Sequence, residues 1–592
     1  MEHSIVLQAR SSRALTSSGD RVLAGLLLAG FLAYAFGALQ LATAPSWQDT
    51  EAYLGHALYI AEHGGVWGFL RDSFTGTFPI TERHPLYLAM LAPFAERSVD
   101  FFWNAKLLNL AFGSILLLTL VWMVNRRHGS GPALIAGLIY AVSSSLVTAA
   151  SHVNHETQFT LCTLWTWWFL TGGDGGEGDE TRVDDMPGRL ARWAVAGVWL
   201  GLAYLVKSPA SLIGVAIVIA AIWHAGWRIL AGPRIWVLIA ATGVLSSPLA
   251  VRNLLAFGTP VYEGMNSSIM WFDDWGELGQ EHSVLYYDRY GITHIEKNGL
   301  PGAADYWREH SVRNIVGRLA KGVVHEVSVV ARDALAPGYP LPRSVAAIWG
   351  YLVLGLAAWG WWTRRRSWAA ALLCSWSALF IVFFGWDNMF PDIRYLAPLV
   401  PIWISFAAVV AWGLLTRWFG GVQPRRIAAA AIAAFALVTV AWVGARAATG
   451  EPKPRMVVTD SYYRLVDWFN GNIQDGDRVL LGPTSDFYGL IWMVERPISV
   501  IQMPSLGDLE SFQRYLRERR VRYFVMNTEN LYGAGRRLEA QMRPYAEVGA
   551  DGGLVEKAVL PGWRPVYRDP SSPSRFVIYE ATAVSQASAG AP

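Results

Sequence analysis

The chain has 592 residues, 53% of them hydrophobic and 16% charged, with a mean hydropathy of +0.27 and a formal net charge of +3. Apolar residues gathered into repeated runs of roughly 18 to 23 describe a polytopic membrane protein, and so small a charge, scattered through short loops, excludes a nucleic-acid binder. The two cysteines, Cys162 and Cys374, lie inside apolar runs, which supports neither a disulfide framework nor a thiolate metal cage.

The first apolar run, at about 22 to 44, follows Arg10, Arg13 and Arg21. It is too long for the core of a signal peptide, and TAPSWQ after it offers no small-x-small cleavage site, so a retained first helix with a cytoplasmic N-terminus is expected. Next comes WQDTEAYLGHALYIAEHG, which places Asp49 and Glu51 just where that helix leaves the bilayer. The apolar piece HPLYLAMLAPF, 84 to 94, is too short to span and reads as an interfacial or re-entrant helix.

Ten more spans are expected at about 101–124, 131–151, 156–172, 191–206, 209–227, 233–251, 345–363, 367–385, 395–415 and 426–446, about eleven in all. The loops rich in arginine, among them Arg126 with Arg127, Arg189 with Arg192, and Arg364 to Arg366, then all face the cytoplasm. The Gly-rich acidic stretch at 172–189 reads as a cytoplasmic connector. Three larger segments, about 46–100, 252–344 and everything beyond 447, fall outside. The expected organisation is a transmembrane domain over 1–450, a small soluble extracytoplasmic α/β domain over 451–583, where SYYRLVDWFNGN, RVLLG, LESFQRYLRERR, RYFVMN and RFVIYEA alternate helix and strand, and a low-complexity tail over 584–592. This is the architecture of an α-helical multi-pass protein of the plasma (inner) membrane.

Polar residues in or beside membrane helices cost roughly 2.5 to 3.5 kcal/mol each at the helix centre, so they gather at helix ends or line a cavity. Here they gather on one side. The outer ends carry Asp49 and Glu51, Arg83 and His84, His152, Asn154, His155 and Glu156, Lys207, Arg252 and Asn253, then Asp387, Asp392, Arg394 and Tyr395. Carboxylates beside several cations at the lip of a membrane cavity suit a reaction on a lipid-linked anion, the cations holding phosphate oxygens while a carboxylate takes a proton or binds a metal.

In order along the chain, WQDTEAY, RHPLYLAML, GLAYLVKSPA, SSPLAVRNLLAFGTPV and FPDIRYLAPLVPIW resemble the GT-C glycosyltransferases, on the branch of protein O-mannosyltransferases and lipid A aminoarabinose transferases. The resemblance covers most of the first 450 residues. It implies a polyprenyl-phosphate-linked sugar donor, a lipid, glycan or protein acceptor on the outer side, and inverting transfer with Asp49 as catalytic base and Glu51 beside it. By the same resemblance Lys207, Arg252 and Arg394 ring the lipid phosphate, with Arg83, His84 and Tyr395 at the donor. The family often shows Asp followed directly by Glu and His followed by two prolines, whereas here Thr50 intervenes and Leu86 follows Pro85.

Bland readings stand beside these. Glu51 also fits as a first-turn charge meeting the dipole of the following helix, and Lys207 as a residue snorkelling from a helix end. His152, His155 and Glu156 fit one helical face at spacings of three and four, and so either a metal site or a polar cavity lining. The sequence singles out no cofactor and leaves a divalent Mg or Mn ion open, with His155 and Glu156 as contacts either to the donor or to such a metal. Trp271, Trp275, Tyr286 and Tyr287 read first as interfacial-belt residues, and 303–327 as a basic helix on the membrane surface. The competing functions are a transporter or flippase of a lipid-linked anion, which calls for inverted repeats that are not seen, and a non-catalytic envelope-assembly scaffold.

Overall fold

The computed structural model describes residues 49–172, 189–262, 266–273, 285–295, 301–337, 343–386, 393–418, 460–481, 488–502, 508–527, 542–551, 553–572 and 574–582, with isolated positions at 25, 27–32, 35, 264, 430, 434, 437, 439 and 441. Most of the first and last expected spans, the connector at 173–188, Asp387, Asp392, Trp275 and the tail lie outside the described residues.

Helix α1 (Thr50–Glu62) starts at Asp49 and stops at His63, where Gly64 and Gly65 take left-handed backbone at φ 91° and 63°. After α2 (Gly65–Thr75), α3 (Pro85–Leu91) begins with proline at its first position, where the missing N–H costs nothing. The long α4 (Val99–His128) is capped by Ser98, whose side chain accepts from the Asp100 amide at 3.2 Å, and it ends on Arg126, Arg127 and His128, cations suited to the negative end of a helix.

The span expected at 131–151 is two helices, α5 (Ser130–Val142) and α6 (Ser144–Ser151). The chain breaks at Ser143 because its hydroxyl and that of Ser145 both donate to the Ala334 carbonyl, at 2.7 and 2.9 Å, and Ser143 pairs with Pro337 as an isolated bridge. Then follow α7 (Glu156–Leu170), α8 (Leu190–Val206), α9 (Ala210–Ala225) and α10 (Pro233–Phe257). The surface helix expected at 303–327 is likewise two, α11 (Ala303–Glu309) and α12 (Val312–Val329), the second started by Ser311, which accepts from the Asn314 amide at 3.3 Å. The helical part closes with α13 (Arg343–Thr363), α14 (Trp368–Trp386) and α15 (Val400–Trp418).

Among the described residues five helical segments, 99–128, 233–257, 344–363, 368–386 and 394–418, are long and apolar enough to cross a membrane, and four shorter apolar helices accompany them. Their shared core is aromatic: Trp193, Trp368 and Trp376 are fully buried, and the Trp368 indole donates to the Leu170 carbonyl at 2.7 Å, which satisfies the one polar atom of a buried ring.

Beyond the helices lies a seven-stranded mixed sheet in the order β2-β1-β4-β3-β5-β9-β8. Five strands come from the C-terminal region: β3 (Arg478–Leu481), β4 (Ser499–Gln502), β5 (Tyr523–Asn527), β8 (Trp563–Arg568) and β9 (Phe576–Ala581), with β3 parallel to both β4 and β5. A separate pair, β6 (Ala546–Val548) and β7 (Leu554–Glu556), sits beside it, and α16 (Asp460–Asn472) and α17 (Leu509–Glu518) pack on it. The other two sheet strands, β1 (Leu285–Tyr287) and β2 (Thr293–Ile295), belong to the large outer loop, with Tyr286 opposite Ile501 of β4. The sheet therefore reaches across the boundary expected at 450.

Tyr286 and Tyr287 are accordingly strand residues, a correction to the belt reading. Trp271 packs on Trp386 and Tyr306 instead, beside Asp273, which accepts from the Tyr306 hydroxyl at 2.9 Å and from Arg318 at 3.0 Å. A second apolar core runs without interruption from Leu54 and Leu58 of α1 through Phe101 and Tyr290 to Trp492 and Val500. First loop, hairpin and C-terminal sheet thus share one interior.

Candidate active site

Asp49 stands at the positive end of α1 without capping it, so its carboxylate projects away from the helix. Arg83 Nη2 donates to Oδ1 at 2.7 Å and Arg394 Nη1 to Oδ2 at 3.4 Å. The Asp49 side chain keeps 37% of its surface open. Burial alone would raise its pKa. The charges of Arg83, Arg394 and Lys207 outweigh that and hold it below the ordinary carboxylate value.

Glu51, two residues on, also feels Arg83, but too weakly to offset its burial. Burial pushes its carboxyl up to about 8, and the neighbouring Asp49 adds to the rise. Of the two carboxylates that open the first loop, one is held ionised and the other protonated at neutral pH.

A second carboxylate comes from the bend between α6 and α7. Asn109 of α4 donates to the carbonyls of His152 and Asn154, the latter at 2.7 Å, and accepts from Gln158 at 2.9 Å; the Asn154 side chain in turn accepts from the Glu156 amide at 3.1 Å. Glu156, 2% exposed, receives Lys207 Nζ at 2.6 Å. Lys207 lies over the Tyr395 ring at 4.8 Å, and Tyr395 stacks on Phe384 at 4.5 Å. His155 Nδ1 meets the Tyr53 hydroxyl, which joins this bend to α1, and its Nε2 is 3.6 Å from Glu156. His152, His155 and Glu156 do not share a helical face: His152 and His155 lie in the non-helical bend, and His152 Nδ1 bonds to the Thr148 carbonyl at 2.8 Å.

His84 caps α3 with its Nδ1 on the Tyr204 carbonyl. Burial, then the charges of Arg252, Arg83 and Lys207, hold it down at about 4. It is neutral at pH 7, and since Nδ1 must carry the proton to meet a carbonyl, Nε2 is left as an acceptor. Arg252, whose charge acts on His84, is 1% exposed and packs on Phe78 at 5.9 Å and Phe257 at 5.8 Å, with Nε and Nη1 lacking any hydrogen-bond partner.

The structure therefore brings together Asp49, Arg83 and Arg394, and beside them Glu156, Lys207, Tyr395 and His155, with His84 close enough to feel the charges of Arg252, Arg83 and Lys207. Sequence reasoning missed Tyr53, Tyr204 and Asn109, which hold His155, His84 and the 152–156 bend; a tyrosine or asparagine on an apolar helix carries no signal of which loop it meets. Among the described residues no group of three or more His, Cys, Asp or Glu could hold a metal. Both oxygens of Asp49 and one of Glu156 already face protein cations, so the donor set does not fit the divalent ion that the sequence admitted.

Apolar helices long enough to cross a membrane, with acidic and basic residues gathered at their ends, are joined through the β1–β2 hairpin to a mixed sheet. The family model described as dolichyl-phosphate-mannose-protein mannosyltransferase matches residues 83–251, which hold Arg83, His84, Glu156 and Lys207. The chain is similar over 98% of its length to ArnT from Cupriavidus metallidurans bound to undecaprenyl phosphate, at 14% identity, covering 100% of that chain with a TM-score of 0.52. It is similar over 90% of its length to the oligosaccharyltransferase AglB from Archaeoglobus fulgidus in complex with an inhibitory peptide and a dolichol-phosphate, at 13% identity, covering 74% of that chain with a TM-score of 0.52. No curated protein matches the sequence. The chain thus shares the GT-C fold of these structures, and its residues 83–251 are similar to the mannosyltransferase family model.

Proposed function

We propose that the protein is a glycosyltransferase that moves a sugar from a polyprenyl-phosphate donor to a cell-envelope acceptor at the outer face of the plasma membrane, with inversion at the anomeric carbon. The observation that carries this reading is the gathering of cations at the rim: Arg83 and Arg394 pair with Asp49, Lys207 pairs with Glu156, and Arg252 is buried with two nitrogens that have no hydrogen-bond partner. An electropositive cleft at a membrane helix rim fits a lipid phosphate, whose charge grows as the sugar leaves. The fold relatives bound to undecaprenyl phosphate and dolichol-phosphate support the same donor class.

In this mechanism Arg252, Lys207 and Arg394 hold the phosphate oxygens. The neutral His84 cannot, because its free Nε2 only accepts; it receives a sugar hydroxyl instead. As guanidinium contacts pass from Asp49 to the phosphate, the Asp49 pKa rises from its depressed value and the carboxylate becomes a better base for the acceptor hydroxyl. That oxygen attacks the anomeric carbon, its proton goes to Asp49, and the C–O bond to the phosphate breaks with both electrons on the polyprenyl phosphate. Glu51, kept protonated, donates a hydrogen bond beside Asp49.

Purified wild type and Asp49→Asn, given polyprenyl-phosphate sugars and envelope acceptor extracts, test the reading. Turnover falls on the order of 10²- to 10⁴-fold in the variant if Asp49 is the base; equal turnover by both rejects that assignment. Lipid flipping with no covalent product would instead favour the flippase reading.

A further inference from the structure

The far end of α1 carries a second constellation. Glu62 Oε1 accepts from Arg97 Nε at 3.2 Å and Nη2 at 2.9 Å, and Oε2 accepts from the Tyr290 hydroxyl at 2.5 Å, with Arg289 Nη2 at 3.7 Å. Arg97 comes from the turn before α4; Arg289 and Tyr290 come from the β1–β2 hairpin. Both arginines also reach the C-terminal domain. Arg97 Nη1 donates to the Trp492 and Val494 carbonyls at 2.7 and 2.8 Å, and Arg289 Nη1 donates to the Glu495 carbonyl.

The hairpin then runs along α1 toward the site. A Cβ on Gly55 would fall 2.2 Å from the Tyr290 carbonyl oxygen, so only glycine allows this approach. One residue on, His56 Nε2 lies 3.2 Å from the Gly291 carbonyl. Burial lowers this imidazole to about 4, so at neutral pH it is uncharged and its Nε2 is the donor. The hairpin is itself fixed to the sheet by β1–β4 pairing.

We propose that Glu62 is a positioning residue for the transfer, tying the C-terminal sheet and its hairpin to α1 so that this domain sets where Asp49 stands. The proposal rests on the reading of Asp49 as the base. A thirteen-residue helix is about 20 Å long. A tilt of about 3° at the Glu62 end therefore moves Asp49 by about 1 Å, and misplacement of that size costs on the order of 10²-fold in rate.

The test uses the full chain. In Glu62→Gln, kcat falls about tenfold while the donor KM stays within about twofold. Tyr290→Phe behaves likewise and serves if Glu62→Gln fails to fold. The double variant is no slower than the slower single, because both remove one hub. Arg522→Gln, which breaks the 3.0 Å pair with Asp477 inside the C-terminal domain, leaves kcat unchanged. Amide exchange at Tyr53, whose N–H donates to the Asp49 carbonyl at 3.1 Å, rises in Glu62→Gln whether or not a sugar is transferred. That separates this proposal from the assigned reaction: a wild type with no turnover on any donor would fail the function alone. Wild-type kcat and unchanged exchange in Glu62→Gln, or multiplicative losses in the double variant, would overturn the positioning role.

Discussion

Arg83 Nη2 lies 2.7 Å from Asp49 Oδ1, while Arg394, 345 residues away in sequence, takes the other oxygen at 3.4 Å. The same carboxylate is thus clamped by cations from both ends of the helical domain. Clamped in this way it is ionised but weakly basic, and a phosphate that draws the guanidiniums away is what would free it. Under the proposed mechanism, binding and activation of the base would become one event.

Arg252 has the opposite character: a guanidinium at 1% exposure with two unpartnered nitrogens is a standing cost in the resting protein. Arg252→Met is expected to hold or raise the Tm of the resting protein while weakening polyprenyl-phosphate binding about tenfold, or about 1.4 kcal/mol. Thermal scans with and without the lipid phosphate check this, since the ligand-induced rise in Tm should shrink in the variant. A lower resting Tm with an intact ligand response would show that Arg252 serves packing alone.

Glu156 and Lys207 form a buried pair at 2.6 Å. Lys207→Met leaves Glu156 charged at 2% exposure and should destabilise by about 3 to 5 kcal/mol. Adding Glu156→Gln should recover much of that loss, because no charge is then stranded. Denaturation of the two singles and the double gives the coupling, and additive losses would mean the pair does not act as one unit.

Glu51 supplies a pH signature. Its folded pKa of about 8 lies above the model-peptide value, so the folded state binds the proton more tightly. The stability this contributes is full below about 4.5 and is lost as pH rises through about 8. Glu51→Gln should flatten that slope and be more stable than wild type at pH 8. Tm measured at pH 5, 6.5 and 8 for both proteins decides it; parallel slopes would contradict the environment described for Glu51.

Because Asp49 and Glu156 are neutralised by arginine and lysine, turnover should survive a chelator unchanged. Loss of activity in EDTA with recovery on adding Mg or Mn would show that an ion displaces one of these cations during the reaction.

Much of this was legible from sequence, for stated reasons. Runs of apolar length mark helices because the bilayer fixes how many residues a helix needs, and α4, α10, α13, α14 and α15 follow the expected spans. The polar residues at helix rims were conspicuous because polar groups are costly there, and Asp49, Arg83 and Arg394 do converge. Illegible were the partners that depend on tertiary approach. Nothing local says that Ser143 would give its hydroxyl to Ala334 and break a helix, or that Leu285–Tyr287 would pair with Ser499–Gln502 two hundred residues later. The expected basic helix divides at Ser311, whose side chain starts a second helix, a capping bond that apolar periodicity does not register.

The hairpin shared between outer loop and C-terminal sheet also constrains how the chain is threaded. Strands hydrogen-bonded to one another lie on one side of a bilayer, so the number of crossings between Ile295 and Arg478 must be even. The described residues there contain three candidate spans, 344–363, 368–386 and 394–418, and an even count demands one more. The span expected from the sequence at about 426–446, which lies largely outside the described residues, would make the count even. A reporter fused just before that stretch and another fused after it should therefore fall on opposite sides of the membrane.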